Sequence, residues 1–493
     1  MALRLGIAAG NPLGVQAATE VAHAGGNAID ACLAAAVMAW VAEPFFASIG
    51  GGGFIAVRRP GMATEIIDGN TGMPQTPPAE PGQSLRRIFV PDYADGIYMG
   101  IGAGSVGVPG VLAAVRTAWE RHGRIEWPAL FAPAITAARS GIPFPRTSSY
   151  YLSCTWQEIW SLDPGSSALF AVDGRPFQEG DHFVQPELAD TLEQVADGGP
   201  SVFYSGALAG EIAAALAEGG GFLGSSDLDV YRPEVRAPIA SEIFGWRVES
   251  NPPPAVGGVG LAHMLALLDA TKLGDPLERL RAIVGAQRSA MGFRSDRYQD
   301  PADVANAWED ALNGMRSPST THTSTADSDG AVCSFTESIG YGAGIVVHGI
   351  LLNNSLGEEE LNPLGVHRLL PGSRCHSNMA PTVATGPERT VVLGSPGASR
   401  IVGAIGQTLI RLALDGDSLA EAVSGPRAHF DLRPEGETLC FEPGLPGEDL
   451  TYIARPYDDI HMYFGAVQAA SVTPDGAVDA AHDPRRSGAS VLV

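Results

Sequence analysis

The stretch SPSTTHTSTADSDGAVCSFTES, Ser317 to Ser338, constrains this chain more than any other segment. Seven of its first nine residues carry a hydroxyl group, interrupted only by Pro318 and His322, a composition that suits a solvated linker. Yet the run passes without a break into THTSTA, the turn DSDG and AVCSFTES, which read as two strands joined at Asp329-Gly330. A linker has no need to be half strand. The alternative is that Thr320 is used at the head of the strand. If the chain is cut before it, its free α-amino group, with a pKa of about 7.7 to 8.0, takes the hydroxyl proton near neutral pH, and one residue supplies nucleophile and base. Its β-branched side chain restricts χ1 and helps hold Oγ1 in one direction.

The rest of the chain reads as alternating helical and strand patterns. NPLGVQAATEVAHAGGNAIDACLAAAVMAWVAEP reads as two helices, separated at Gly25-Gly26, the second opening at Asn27 as N-cap. IGGGGFIAVRRP, TEIIDGN and SEIFGWRVES read as strands, and VGLAHMLALLD, LERLRAIVGAQRSAMGFRSDR and DPADVANAWEDALNG as helices. Gly50 to Gly53 suit a close backbone crossing better than a phosphate cradle, since no Lys-Ser/Thr follows. Gly102, Gly104 and Gly107 match G-x-G-x-x-G, but two helical patterns follow where a dinucleotide fold needs a strand.

Bulk properties narrow the function. A length of 493 residues allows about three domains or one very large one. Formal charge is -24, from 31 basic against 55 acidic residues, so nucleic acid is not an expected partner. The longest apolar run, Ala31 to Ala42, falls short of the roughly 18 residues a membrane helix needs, and MALRLGIAAGNPLG is too short for a signal peptide. No membrane association and a cytoplasmic location are expected. Cys32, Cys154, Cys333, Cys375 and Cys440 are odd in number and widely spaced, which suggests neither disulfides nor a zinc cage. Lys272 is the single lysine, and its helix-end setting argues for a solvated charge rather than a Schiff base. No metal and no cofactor are expected.

The ordered segments GGNAIDACLAAAV, EPFFASIGGGGF, GSVGVPG, NPPPAVGG, TTH, DGAVCSFTES, GILLNNSLG, SNMAPTV, GSPGASR and DPRRSGA make the chain resemble the γ-glutamyltransferase (γ-glutamyltranspeptidase) family of N-terminal-nucleophile hydrolases over nearly its whole length. The resemblance implies an α+β fold, a four-layer αββα sandwich, made as a precursor that cuts itself before Thr320. It implies a large fragment, 1–319, and a small one, 320–493, which stay together as a heterodimer and build one unit around a small-molecule substrate. By the same resemblance Ser338 stands where a threonine hydrogen-bonds the nucleophile, and the backbone N–H groups of Gly397 and Ala398 form the oxyanion hole. Such donors are worth roughly 2.7 to 4 kcal/mol each in the transition state.

The resemblance fails at the glutamyl pocket. Asn70 falls where the family has the arginine that holds the substrate α-carboxylate, and a neutral amide cannot offer two parallel charged donors. Gly340, Ser355 and Glu358 fall where the family holds the α-ammonium with asparagine, glutamine and aspartate. Ser377 is kept, and Asn378 replaces a second serine. Glu358 alone of the run Glu358 to Glu360 has a positional reason to face the pocket, and the run otherwise reads as a solvated loop. His322 is expected to pack and hydrogen-bond beside the strand, and His376 beside Cys375 reads as ordinary loop. These residues give a hydrolase or acyltransferase acting through an acyl-enzyme on a substrate other than glutathione. One alternative is a C–C bond hydrolase of actinobacterial antibiotic biosynthesis, of the 4-alkylproline type. Another is an unprocessed, non-catalytic binding protein.

Overall fold

Every residue of the strand Thr321–Asp327 is buried, so both of its faces need partners. The computed structural model describes residues 3–91, 93, 96–297, 320–362, 364–433 and 435–493, and within them both faces are satisfied. The odd-numbered side chains face the helix Ala28–Ala42. Thr325 Oγ1 donates to the Ala28 carbonyl at 2.6 Å, and Thr321 Oγ1 donates to Glu43, just past the helix end, at 2.9 Å. The even-numbered side chains face a second sheet, where Ser324 Oγ donates to the Gln468 carbonyl at 3.1 Å. His322 lies 2.7 Å from Thr336 Oγ1 and 2.9 Å from Ser324 Oγ, the packing role expected of it. Burial pushes the His322 pKa down to about 3, so the imidazole is neutral at physiological pH.

The strand belongs to a seven-stranded antiparallel sheet in the spatial order Glu234–Arg236, Glu65–Gly69, Gly52–Arg58, Val332–Ser338, Thr321–Asp327, Leu5–Ala9, Ala489–Leu492. A six-stranded antiparallel sheet follows the order Ile239–Ile243, Trp246–Ser250, Thr382–Thr385, Thr390–Gly394, Gln468–Val472, Val478–His482. Phe54, Ala56 and Val332 of the first sheet pack on Val383, Val392 and Ala470 of the second. On the other side of the first sheet, Ile55, Val57, Cys333 and Phe335 pack on the helices Ala28–Ala42 and Val111–His122. Trp246, Val391 and Leu393 of the second sheet pack on the helices Val256–Ala266 and Arg400–Ile410. Helices and antiparallel sheets thus combine in an α+β fold.

Helix Ala28–Ala42 is buried all round, which explains its unbroken alanine-rich composition, and it opens with the expected cap at Asn27, in a capping box with Asp30. SEIFGWRVES departs from the expected single strand. It is a hairpin in which Ile243 pairs with Trp246 across Phe244 and Gly245, both at positive φ (48° and 81°). The apolar alternation continues through the turn and hides it. The glycines at 50–53 are a close crossing, as expected: a Cβ on Gly51 would stand 2.5 Å from the Ser338 carbonyl oxygen. A Cβ on Gly104 would stand 2.0 Å from the Gln83 carbonyl oxygen, so the G-x-G-x-x-G segment is filled by its own neighbours rather than open to a phosphate. All five cysteines are free thiols. Among the described residues no helix is long and apolar enough to cross a membrane. The helix expected in DPADVANAWEDALNG and the residues Ser317 to Ser319 lie outside the described residues.

Candidate active site

Thr320 sits immediately before the fully buried strand, and the carbonyl of the same residue accepts a hydrogen bond from Arg486 Nη1 at 3.4 Å. Arg486 reaches it because the preceding DPR segment is locked in a buried network. Asp483 pairs with Arg427 at 2.7 Å and with Arg485 at 3.0 Å, and Arg485 also pairs with Glu442. On the next residue, Thr321 Oγ1 shares Glu43 Oε1 with Asn11 Nδ2, at 2.9 and 2.5 Å. Burial raises the Glu43 pKa, against these two hydrogen bonds. Asn11, Glu43 and Arg486 had no role assigned from sequence. The signal for Glu43 and Arg486 lay in EPFF and DPRRSGA, segments that carry the resemblance but whose chemistry shows only once the strand is beside them, and Asn11 lies in neither.

A narrow cavity of about 30 Å³ opens at Thr320. Ser338, Ala398, Asn70, Gly340, Ser355, Glu358, Ser377 and Asn378 all line it, so the structure gathers the site residues read from sequence except Gly397, which precedes Ala398 in the same turn. Gly397 and Ala398 have φ of 129° and 49°, and a positive φ at a non-glycine residue is a strained position of the kind that gathers at functional sites. Their carbonyls accept from Arg400 N–H at 2.9 Å and Ile401 N–H at 3.1 Å as the helix Arg400–Ile410 begins. Among the described residues their own N–H groups have no hydrogen-bond acceptor, which leaves two backbone donors at the cavity edge. Ser338 ends its strand, and its Oγ accepts from the Gly340 N–H at 2.9 Å.

The opposite wall is rich in acceptors. Asn70 Nδ2 donates to the Cys375 carbonyl at 2.8 Å, and Tyr231 donates to the Asn70 main-chain carbonyl at 2.6 Å, so side chain and backbone are each tethered once. Asn378 Nδ2 is 3.4 Å from Glu360 Oε1, while the buried Asn378 Oδ1 has no hydrogen-bond partner. Asn362 Nδ2 donates to the carbonyls of Ser355 and Glu358 at 3.0 and 2.9 Å and fixes their loop. The Ser377 carbonyl accepts from the N–H groups of Val256 and Gly257, and Ser377 Oγ from Met379 N–H at 3.2 Å.

One expectation about this wall is corrected. The run Glu358 to Glu360 is not a solvated loop: the turn Glu359–Leu361 sends Glu359 outward to Arg87 and leaves both Glu358 and Glu360 buried against the cavity. His376 also lines the cavity, and burial lowers its pKa, which keeps the ring neutral. Burial, reinforced by the neighbouring Glu360 carboxylate, holds the Glu358 pKa well above the ordinary carboxylate range. Gly340, at φ 64°, makes room for this carboxylate, because a Cβ there would lie 2.5 Å from Glu358 Oε1. No lysine or arginine is among the described residues lining the cavity.

Such a site can hold an acyl carbon beside a hydroxyl and stabilise the charge of a tetrahedral intermediate, but among its described residues has no cation for a carboxylate. Comparison with known proteins gives the family. The chain is 30% identical to the Acylase ACY 1 proenzyme of Pseudomonas sp. (strain SE83), over 98% of this chain and 92% of that one. It is 29% identical to the Glutathione hydrolase proenzyme of Escherichia coli (strain K12), over 95% of this chain and 88% of that one. The structure superimposes on cephalosporin acylase from Bacillus halodurans with a TM-score of 0.81 at 25% identity, covering 99% of this chain and 96% of that one. The family profile described as Gamma-glutamyltranspeptidase matches residues 14–317 and 308–493, and with it the chain belongs to the gamma-glutamyltranspeptidase family of N-terminal-nucleophile hydrolases and transpeptidases.

Proposed function

We propose that this enzyme is a self-processing N-terminal-threonine hydrolase or acyltransferase whose acyl substrate is not glutathione. The chain is cut before Thr320, and residues 1–319 and 320–493 remain one αββα unit, a reading supported by helices, sheet, sheet and helices in packing order. Both relatives named above are proenzymes. Thr320 Oγ1 attacks the acyl carbon, the Thr320 α-amine takes the hydroxyl proton and passes it to the leaving group, and water or an amine then releases the acyl-enzyme. The Ser338 hydroxyl orients the nucleophile, and the N–H groups of Gly397 and Ala398 receive the oxyanion.

The observation that carries the substrate reading is a cavity shared by Thr320, Ser338 and Ala398 whose wall holds two buried carboxylates and no arginine or lysine. An acyl group with a free α-carboxylate finds no cation among the described lining, and the burial that disfavours a charge on Glu358 disfavours a further negative charge beside it. One with an amine and no carboxylate meets Glu358, with Asn70, Ser355, Ser377 and Asn378 as polar contacts. Glu358 takes the space that a side chain at Gly340 would fill, so these two departures from the family compensate each other.

The test compares γ-glutamyl-p-nitroanilide with 4-aminobutyryl-p-nitroanilide, the same acyl chain without its α-carboxylate. The second should be the better substrate, and efficient turnover of the first would overturn the substrate reading. On a denaturing gel the purified protein should give two bands. One intact band that persists on long incubation would favour the non-catalytic binding protein. Loss of the carboxylate clamp equally suits the C–C bond hydrolase of the 4-alkylproline type. Consumption of such an intermediate with no turnover of any amide would select it.

A further inference from the structure

A second, much larger space lies on the other side of the turn that carries Ala398. Ala398 and Ile401 face the cavity described above, whereas Arg400 lines a groove of about 970 Å³. Arg486, whose guanidinium donates to the Thr320 carbonyl, lines the same groove. The groove therefore begins one residue from the proposed nucleophile and falls within the size range of small-molecule sites.

Its chemistry is the reverse of the cavity's. Arginines 146, 400, 455, 485 and 486 line it, and Asp459 is the only acidic residue among the described lining. Arg485 is neutralised by Asp483 and Glu442, and the other four arginines still make this a local inversion in a chain of net charge -24. The groove also carries flat aromatic surface. Tyr457 and Tyr463 stack with centroids 5.4 Å apart at 21°, Arg400 lies over Tyr463 at 4.8 Å, and Arg455 over Tyr457 at 5.6 Å. Tyr463 is fixed from behind by its hydroxyl, which donates to Asp431 at 3.1 Å. Arg146 stands exposed at the start of the helix Arg146–Thr155 and makes no ion pair among the described residues.

We infer that this groove is the leaving-group site and that it takes an amine bearing an aromatic or similarly planar carboxylate, with the ring against the tyrosines and the carboxylate on Arg146 and Arg455. The inference rests on Thr320 as the acylated residue. When the Thr320 Oγ1–acyl bond forms and the amide C–N bond breaks, the leaving nitrogen takes the proton and its remainder is held in the groove. The substrate then has two ends of opposite charge, an amine toward Glu358 and a carboxylate toward the arginines.

Equilibrium binding tests the groove without turnover. By calorimetry on the full-length Thr320→Ala protein, 5-amino-2-nitrobenzoate should bind at least about tenfold more tightly than 4-nitroaniline, the same ring without the carboxylate. The preference should weaken as salt rises and vanish in Arg146→Gln/Arg455→Gln, and Arg146→Lys should retain part of it. A thermal melt of each variant within a few degrees of the parent confirms that the groove is intact. Equal binding of the two compounds, or an undiminished preference in the folded double variant, overturns the proposal. Because no chemistry is measured, this outcome is separate from any failure of Thr320 to turn over substrate.

Discussion

Two polar regions meet at Thr320, and they differ in how their buried groups are satisfied. In the hairpin, His322, Ser324, Thr325, Ser334 and Thr336 form a closed set of hydrogen bonds to one another and to the backbone of the flanking helix and sheet. In the cavity wall, Glu358 is buried beside the like-charged Glu360, and Asn378 Oδ1 has no hydrogen-bond partner. Buried polar groups cost free energy unless they are paired, so the first region stabilises the fold and the second withholds hydrogen bonds from it. The difference separates scaffold from binding surface by polar satisfaction, with hydroxyls and a neutral imidazole on the paired side and carboxyl and amide groups on the other.

The sharpest cut between the two is Thr320→Ala, which should abolish both chain cleavage and turnover, a loss of at least about 10⁴-fold read by gel and by p-nitroaniline release. Retained cleavage would move the nucleophile elsewhere. On the wall, Glu358→Gln should lower kcat/KM for 4-aminobutyryl-p-nitroanilide by roughly 10- to 100-fold through the loss of one charged contact, while leaving processing intact. Gly340→Asn should cost about 1 to 3 kcal/mol in urea unfolding, because it forces a Cβ into Glu358 at a positive φ. Combining it with Glu358→Asp should recover part of that loss, and additive costs would separate the two positions.

The smallest effects are opposite pH slopes. Below about pH 6.5 the unfolded chain protonates His322 while the folded one does not until about pH 3, so the stability it contributes is full above 6.5 and falls with acid by at most about 1.4 kcal/mol per pH unit. Ring ¹⁵N resonances should show His322 neutral at pH 5. Glu358 runs the other way. Its folded pKa is raised, so its contribution is present below the ordinary carboxylate range and is lost as pH rises through the folded value. Unfolding of Glu358→Gln should therefore gain on the parent protein as pH increases, and parallel curves would place Glu358 in solvent.

The hairpin was legible in sequence because an Asp-Gly turn between two strand-like runs and a β-branched residue at its head are local signals, and so was the cap at Asn27. The family motifs named nine of the fourteen described residues that line the cavity and left out Glu360, Leu361, His376, Met379 and Ile401. What escaped was set by distance along the chain. Glu43 comes to Thr321 and Arg486 to Thr320 from segments whose positions only the folded sheets define. Glu360 was read as solvated because three consecutive acids look like a surface run, and nothing local shows that a tight turn sends one of them out and two in. The hairpin in SEIFGWRVES was missed because Phe244 at the turn preserves the apolar alternation of a continuous strand.

The order of the seven-stranded sheet has a consequence for assembly. Leu5–Ala9 lies between Thr321–Asp327 and Ala489–Leu492, while Val332–Ser338 lies against Gly52–Arg58, so strands from the two sides of Thr320 are shuffled together. An uncut chain reaches this arrangement in a first-order process, at any dilution. A chain severed before Thr320 must regain it by the meeting of two separate polypeptides, so its recovery from denaturant slows with dilution while that of the Thr320→Ala protein does not. Severing would thus act as a ratchet: the sheet is easiest to weave while its threads are joined, and its architecture outlasts the connection that made it accessible.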